Sequence, residues 1–162
     1  MKRLAAAALL ALTAAGCATR SDLEAFRPAS SERAVVRWQR SDAVINCDAV
    51  CARSSEGVAA VRLYKESPTA LVEFRLQPDG HFSASGNLAG RGWSGPAENA
   101  PAPLSVWAAW LGAYAHAADL PVGMKEIHSP ANRMAFVKSE DKLESLSVAS
   151  TDSAEAVNVV FR

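Results

Sequence analysis

The chain has no excess of either charge. Its 162 residues contain 17 lysines and arginines against 17 aspartates and glutamates. Without a net positive charge there is no electrostatic footprint to attract phosphates, and no block of five like charges is present to act as an interaction tail. Nucleic acid is therefore not expected as a partner.

Hydrophobic runs long enough to cross a membrane are also missing. The mostly apolar run at residues 4–15 stops at the polar and charged residues 19–22, and no later run is longer. A membrane-spanning helix needs about 20 apolar residues. The run instead follows Lys2 and Arg3 and precedes a small-residue site, and these three parts together form an export signal. The pattern predicts a signal peptide over residues 1–16.

The end of this signal resembles the lipobox of bacterial lipoproteins. Ala14, Ala15 and Gly16 lead into Cys17, although the family usually carries Leu at the first of these positions. The resemblance implies that Cys17 is acylated and anchors the protein in a membrane. By the family's sorting pattern, Ala18 implies the periplasmic face of the outer membrane. The alternatives are the inner membrane, or an ordinary secretory signal and a soluble periplasmic protein.

The segment after Cys17 is polar and lacks a strong periodicity. We interpret residues 17–32 as a lipidated N-terminus with a flexible tether. The rest of the chain is long enough for one ordinary domain and contains no linker that would divide it. Residues 33–162 are therefore predicted to form a single periplasmic domain.

Two cysteines, Cys47 and Cys51, follow the lipobox cysteine. In an oxidising compartment such pairs tend to form a disulfide. Four residues of strand span roughly 13 Å, whereas a disulfide needs Cα atoms roughly 4.4 to 6.8 Å apart. A bridge thus requires a turn, which Asn46 and Asp48 favour. We predict a Cys47–Cys51 disulfide; two free thiols on one face of a strand, and a metal or redox site, are the alternatives.

Short segments with alternating or β-branched character dominate the domain. The pattern predicts strands at residues 34–40, 43–52, 57–64, 69–77, 81–85, 133–138, 142–148 and 156–161. Residues 104–118 carry apolar side chains at helical spacing and follow Pro103, which suits the first turn of a helix. Glycines and prolines predict a loop over residues 87–102. The predicted order is five strands, one helix and three strands.

This order predicts an α+β domain in which one main helix covers a curved antiparallel sheet, an incomplete barrel of about 7–8 strands. It resembles the periplasmic lipoprotein carriers and receptors of the LolA and LolB kind across most of residues 34–162. In those proteins a helix fills the mouth of an incomplete barrel. The resemblance rests on the lipobox, the number of strands and the position of the helix, and not on a sequence motif.

Few residues are spaced for catalysis or for binding a cofactor. Ser94 lies in a segment that starts like the nucleophile turn of esterases, but Pro96 replaces the last glycine and the strand-turn-helix context is missing. Glu126 and His128 can share one strand face without an evident third metal ligand. No nucleotide-binding glycine pattern is present. We therefore expect no catalytic residue, no cofactor and no metal, and we do not expect an enzyme.

Aromatic residues make up only 7% of the chain, yet three of them lie on the predicted helix. Trp107, Leu111 and Tyr114 form one stripe, and Trp110 lies beside it. In one interpretation this stripe is core packed on the sheet. In the other, these four residues line an apolar cavity between helix and sheet that takes an acyl chain.

The expected function is that of a membrane-anchored, non-catalytic periplasmic lipoprotein. The first hypothesis is that it binds an acyl chain or a lipoprotein between helix and sheet. The alternative is an envelope interaction or structural module with a filled core, whose partner docks on a sheet edge or on the glycine-rich residues 88–96.

Overall fold

The folded part of the chain consists mainly of strands. The computed structural model describes residue 26, residues 28–66 and residues 68–162. The strands are β1 (Ser30–Gln39), β2 (Val44–Arg53), β3 (Ala59–Tyr64), β4 (Val72–Leu76), β5 (His81–Ser85), β6 (Trp93–Pro96), β7 (Gly123–His128), β8 (Asn132–Lys138), β9 (Leu143–Ser150) and β10 (Ala156–Phe161). The α-helix of this part, α1, covers Ser105–Ala115. Short 3₁₀ turns lie at Asn87–Ala89, Ala97–Asn99 and Ala117–Asp119.

The ten strands form one antiparallel sheet in the order β6-β5-β4-β3-β2-β1-β10-β9-β8-β7. The first strand, β1, lies inside the sheet because it pairs with β2 on one side and with the last strand, β10, on the other. The chain runs outward from β1 to β6, passes through α1, and returns inward from β7 to β10. The two edges of the open sheet are therefore β6 and β7.

The alternation of side chains gives the sheet one apolar and one polar face. In β1, Ala34, Val36 and Trp38 are at most 2% exposed, whereas Arg33 and Arg37 between and beside them are exposed. The same alternation continues through the other strands, and α1 packs on the apolar side. We call the side that packs against α1 the inner face and the opposite side the outer face.

Hydrogen bonds to β8 and β9 fix the helix and the segment after it to one half of the sheet. The Trp110 indole N–H donates to the backbone carbonyl of Leu146 in β9 at 3.0 Å. Beyond the end of α1, the Lys138 ammonium of β8 donates to the carbonyls of Ala118 and Leu120, both at 2.7 Å. Carbonyls at a helix end lack partners within the helix. These bonds therefore hold the end of the helical segment close to β8, immediately before the chain enters β7.

The prediction of an α+β domain with an antiparallel sheet and one main helix is confirmed, but the sheet has ten strands instead of the expected 7–8. The additional strands are the two edges. β6 lies within the segment predicted as a loop, and it is interrupted by Gly95 and ends at Pro96. β7 has no buried residue. Neither strand therefore shows the alternation of apolar and polar residues by which strands are predicted.

The folded domain begins earlier than predicted. Ser30 and Glu32, which were expected in the tether, pair with β2 as part of β1. Before them, the ring of Phe26 lies 5.4 Å from the guanidinium carbon of Arg75. The predicted signal peptide and Cys17 lie outside the described residues. In the part that is described, no helix combines the length and the apolar character needed to cross a membrane.

Candidate functional site

The four residues predicted as an apolar wall lie together in the core. Trp107, Trp110, Leu111 and Tyr114 have no solvent-exposed surface. They lie at positions 3, 6, 7 and 10 of α1, so that they share the side of the helix that faces the sheet. The structure thus brings these residues together, as the spacing predicted.

Direct ring contacts occupy the space around this wall. Trp107 stacks on Phe74 of β4, with 4.7 Å between ring centroids. Trp110 stacks on Tyr114 at 5.0 Å, and Tyr114 stacks on Phe161 of β10 at 5.7 Å. Packed aromatic pairs have centroid distances of about 4.5–7 Å. In this conformation the wall residues are therefore core side chains.

The predicted disulfide between Cys47 and Cys51 is wrong. Both residues lie in β2 and are buried free thiols on the inner face. Four residues along a strand separate Cα atoms by roughly 13 Å, which is beyond the reach of a disulfide. The turn that the bridge required is not formed, because Asn46 and Asp48 are exposed outer-face residues that alternate with the cysteines.

Burial also keeps both thiols protonated. Burial, reinforced by the carboxylate of Asp48, raises the pKa of Cys47 to about 11. Burial and the nearby Glu32 raise the pKa of Cys51 above its usual range. Because the thiolate is the nucleophile and the metal ligand, neither cysteine is prepared for redox chemistry or metal binding.

The structure places a histidine beside Ser94. His81 of β5 and Ser94 of β6 lie on the outer face, with 2.7 Å between Nε2 and Oγ. The sequence did not reveal this contact, because it depends on the pairing of β5 with β6.

The contact between His81 and Ser94 lacks other parts of a catalytic arrangement. A serine activated by histidine works with a group that orients the imidazole. Asp79 accepts a hydrogen bond from the backbone N–H of His81 at 2.9 Å. Among the described residues, no carboxylate is hydrogen-bonded to the His81 imidazole. Both side chains are exposed to water. We therefore interpret the pair as a surface hydrogen bond.

Glu126 and His128 share the outer face of β7, as their spacing predicted. Glu126 Oε1 lies 3.3 Å from His128 Nε2, which makes an ion pair when the imidazole is protonated. Among the described residues, no group of three side chains is arranged to hold a metal ion.

The strand that carries this pair is an open edge. All six residues of β7 are exposed, and β7 pairs only with β8. Met124 is 79% exposed on the outer face, and Ile127 is 44% exposed on the inner face. An unpaired edge presents backbone N–H and C=O groups to any extended chain. Sequence analysis missed this edge, although two apolar residues in an otherwise polar strand are a signal for it.

The opposite edge is less accessible. β6 has only four residues and ends at Pro96, which has no backbone N–H to donate. The Trp93 side chain of β6 turns inward and packs against Phe82, with 5.7 Å between ring centroids.

A groove of about 450 Å³ lies on the outer face between β1 and β7. Small side chains of three adjacent strands form its floor, and longer side chains stand at its two ends. The floor residues are Ala135, Ser147, Ala149, Ala156 and Asn158, and the end residues are Arg37, Gln39, Glu126 and Arg133. The sequence did not indicate this groove, because it depends on the registers of β7 to β10 and on the pairing of the distant strand β1 with β10.

No family model matches the chain, and no curated protein matches it. The function has to be argued from the packed core, the open edge of β7 and the outer-face groove.

Proposed function

We propose that the chain is a lipid-anchored, non-catalytic module of the bacterial envelope that docks an extended segment of another envelope protein along β7. The observation that carries this proposal is the edge itself, with six exposed residues and pairing on one side only. An extended segment that adds a strand gains main-chain hydrogen bonds from such an edge, and the flanking side chains supply specificity.

The anchor is part of the proposal and rests on the sequence. The residues that lead into Cys17 support acylation at this position, and Ala18 supports the periplasmic face of the outer membrane. Twelve residues separate Cys17 from the start of β1 at Ser30. A chain of this length reaches at most about 40 Å. The anchor would therefore keep the start of β1 within this distance of the membrane.

We extend the proposal to the finer fold, an incomplete barrel of the LolA and LolB kind. Two features support it. The first and last strands pair in the middle of the sheet, and α1 connects the two open edges across the inner face. The proposed likeness concerns the fold and does not bring the lipid-carrying activity to this chain.

The packing of the inner face favours the interaction module over the acyl-chain hypothesis. An acyl chain between helix and sheet would have to separate Trp107 from Phe74 and Tyr114 from Phe161, which are stacked in this conformation. It would also have to break the hydrogen bond from Trp110 to β9. A docked segment on β7 requires no such rearrangement.

The charges of β7 favour a different protein over a second copy of this chain. In an antiparallel pair, directly opposite residues point to the same face of the sheet. When two copies of β7 pair about a two-fold axis, with the same face of each sheet on the same side, one residue opposes its own copy. The two such registers of greatest overlap place Lys125 opposite Lys125 or Glu126 opposite Glu126. Like charges directly opposite each other destabilise a strand pair. A matching partner segment instead has an acidic residue opposite Lys125, a basic one opposite Glu126 and apolar residues beside Met124 and Ile127.

Photo-crosslinking in the native envelope tests the proposal. A photoreactive side chain at position 125 should give one discrete adduct with an extended segment of another envelope protein. The double substitution Met124→Lys and Ile127→Lys should abolish it, because it replaces the two apolar side chains that contact the partner segment by charged ones. Val44 is 48% exposed in β2 on the outer face, and a photoreactive side chain there is the matched control. An adduct only with lipid, only with a second copy of the chain, or at position 44 alone would overturn the proposal.

Native mass spectrometry tests the filled core separately. The chain without its predicted signal peptide, with Cys17→Ser, is purified gently from a bacterial periplasm. We expect the mass of the polypeptide alone. Bound phospholipid or fatty acid would instead establish the acyl-chain hypothesis, and loss of this lipid in a folded Trp107→Ala variant would place it at the aromatic wall.

A further inference from the structure

The groove on the outer face is built from two parallel rows of side chains. The strand registers place Arg37, Asn158, Ser147, Ala135 and Glu126 side by side across five strands. Four strand spacings give this row a length of about 19 Å.

The second row lies two residues away from the first along each strand. It runs from Gln39 through Ala156 and Ala149 to Arg133 and His128. In both rows the small residues stand in the middle and the long ones near the ends. The depression therefore follows from side-chain size and does not depend on a loop.

Among the described residues, the two arginines of this groove are not held in ion pairs, although the Glu126 carboxylate lines the same groove. Arg37 is exposed, and its two cross-strand neighbours are the neutral Asn46 and Asn158. Arg133 lies between Ala149 of β9 and His128 of β7, and the Glu126 carboxylate lies 3.3 Å from that histidine. Two outer-face arginines outside the groove, Arg62 and Arg75, both pair with Glu73, whereas Arg33 of β1 has no ion pair within the described residues either.

The middle of the groove offers the side-chain amide of Asn158 as a donor between the two arginines. The Ser147 hydroxyl donates its one proton to the Ala135 carbonyl at 3.2 Å, so that in this conformation it has no proton left for an anion. Asn158 is exposed beside it and carries both amide donors and a carbonyl acceptor. Arg37 and Arg133 line the groove on either side of this floor, on strands that are three spacings or about 14 Å apart.

We infer that this groove binds a small organic anion, whose carboxylate or phosphate group lies over Ser147 and Ala149 between Arg37 and Arg133. Guanidinium groups bind these oxyanions through paired, charge-assisted hydrogen bonds. The volume of about 450 Å³ falls within the range of small-molecule sites. Glu126 at the far end disfavours a second negative group there, which limits the ligand to a single anionic end.

Nuclear magnetic resonance titration of the chain without its predicted signal peptide, with Cys17→Ser, tests this inference. The probes are inorganic phosphate and acetate at low ionic strength. We expect saturable shifts of the backbone amides of Ser147, Ala149 and Asn158. Arg37→Gln and Arg133→Gln should each weaken binding about tenfold, because each removes a charge-assisted hydrogen bond.

Arg33→Gln is the matched control, since Arg33 is an exposed arginine on the same strand and face as Arg37 but does not line the groove. It should change the affinity less than twofold. Glu126→Gln should tighten binding two- to fivefold, because it removes a repulsive charge. Filling the floor by Ala149→Phe, with the fold checked by circular dichroism, should abolish binding.

Shifts that do not saturate, that spread over all basic residues, or that persist in the Arg37→Gln and Arg133→Gln variants would overturn the anion site. A weaker affinity of Glu126→Gln for both probes would overturn the role assigned to that carboxylate. These results are independent of the proposed docking on β7, because the crosslink at position 125 uses the strand edge and does not require either arginine.

Discussion

The hydroxyl of Tyr114 donates a hydrogen bond to the Glu32 carboxylate at 2.9 Å, and thereby joins two residues that are 82 positions apart in the chain. The guanidinium carbon of Arg53 lies 5.0 Å from the centroid of the same ring. Burial, with Cys51 and Glu32 close by, raises the pKa of Tyr114 above its usual range, so the hydroxyl keeps its proton and remains a donor. This contact fixes the start of β1 to the last turn of α1.

We therefore expect Tyr114→Phe to lower the free energy of unfolding by about 1–2 kcal/mol, because the half-buried Glu32 loses a hydrogen bond to its charged carboxylate. Urea denaturation measures the change. A double-mutant cycle with Glu32→Ala, which removes the acceptor, is the control. The two single losses of unfolding free energy should together exceed the loss in the double variant by about 1 kcal/mol. Strictly additive losses would show that the contact does not contribute to stability.

The two tryptophans of the aromatic wall should differ in their contributions. Both are fully buried, but the Trp110 indole donates to the Leu146 carbonyl, whereas the Trp107 indole N–H is buried without a hydrogen-bond partner in the described structure. Replacement by Phe removes the same volume at either position. In chemical denaturation, Trp110→Phe should therefore lower the free energy of unfolding by about 1–2 kcal/mol more than Trp107→Phe does. Equal losses would contradict the role of the bond to β9.

Two glycines near the ends of β5 provide a matched test of backbone packing. Gly80 has a φ of +84° with nothing within 4 Å of an added Cβ, whereas Gly86 has a φ of +108° and its Cβ would lie 2.7 Å from the Leu71 carbonyl oxygen. Gly80→Ala should lower the free energy of unfolding by about 1–2 kcal/mol, because an alanine is strained in this left-handed backbone conformation even where it meets no neighbour. Gly86→Ala should lower the free energy of unfolding by roughly 1–3 kcal/mol more than Gly80→Ala, because the backbone at Leu71 must also move. Thermal unfolding measures both, and a smaller loss at Gly86 would contradict this description.

The sequence was informative wherever one face of an element is buried. The alternation in residues 69–77 and the helical spacing of Trp107, Leu111 and Tyr114 reflect burial against the core. Both elements form, within shorter bounds than predicted, as β4 (Val72–Leu76) and α1 (Ser105–Ala115). The edges β6 and β7 escaped prediction for the same physical reason. Hydrophobic periodicity reports burial, and β7 has no buried residue.

The local preference of Asn46 and Asp48 for a turn misled the prediction of a disulfide. Pairing of β2 with both β1 and β3 overrides this preference, because each neighbour supplies a ladder of backbone hydrogen bonds. The candidate groove and the contact between His81 and Ser94 have a different cause. Both depend on strand registers, which a single sequence does not specify.

The buried thiol of Cys47 predicts a loss of stability at alkaline pH. Its pKa is about 11 in the folded state, against an ordinary value of 9.0. Between these two values the unfolded chain has released a proton that the folded chain retains. The unfolded state then binds fewer protons, so the free energy of unfolding falls as pH rises. The stabilising contribution is complete below about pH 9 and is lost progressively toward pH 11.

Urea denaturation at pH 8 and at pH 10 measures this effect. From the cysteine alone, we expect the free energy of unfolding to fall by about 1 kcal/mol between these pH values. Cys47→Ala is the matched variant. It lowers stability at both pH values by removing buried volume, but it should show a smaller decrease between them, because the titrating group is gone. Cys51 and Tyr114 are present in both proteins. The contribution of Cys47 is therefore the difference between the decrease in the unmodified chain and the decrease in the Cys47→Ala variant. Equal decreases would mean that Cys47 is accessible to solvent in the folded protein.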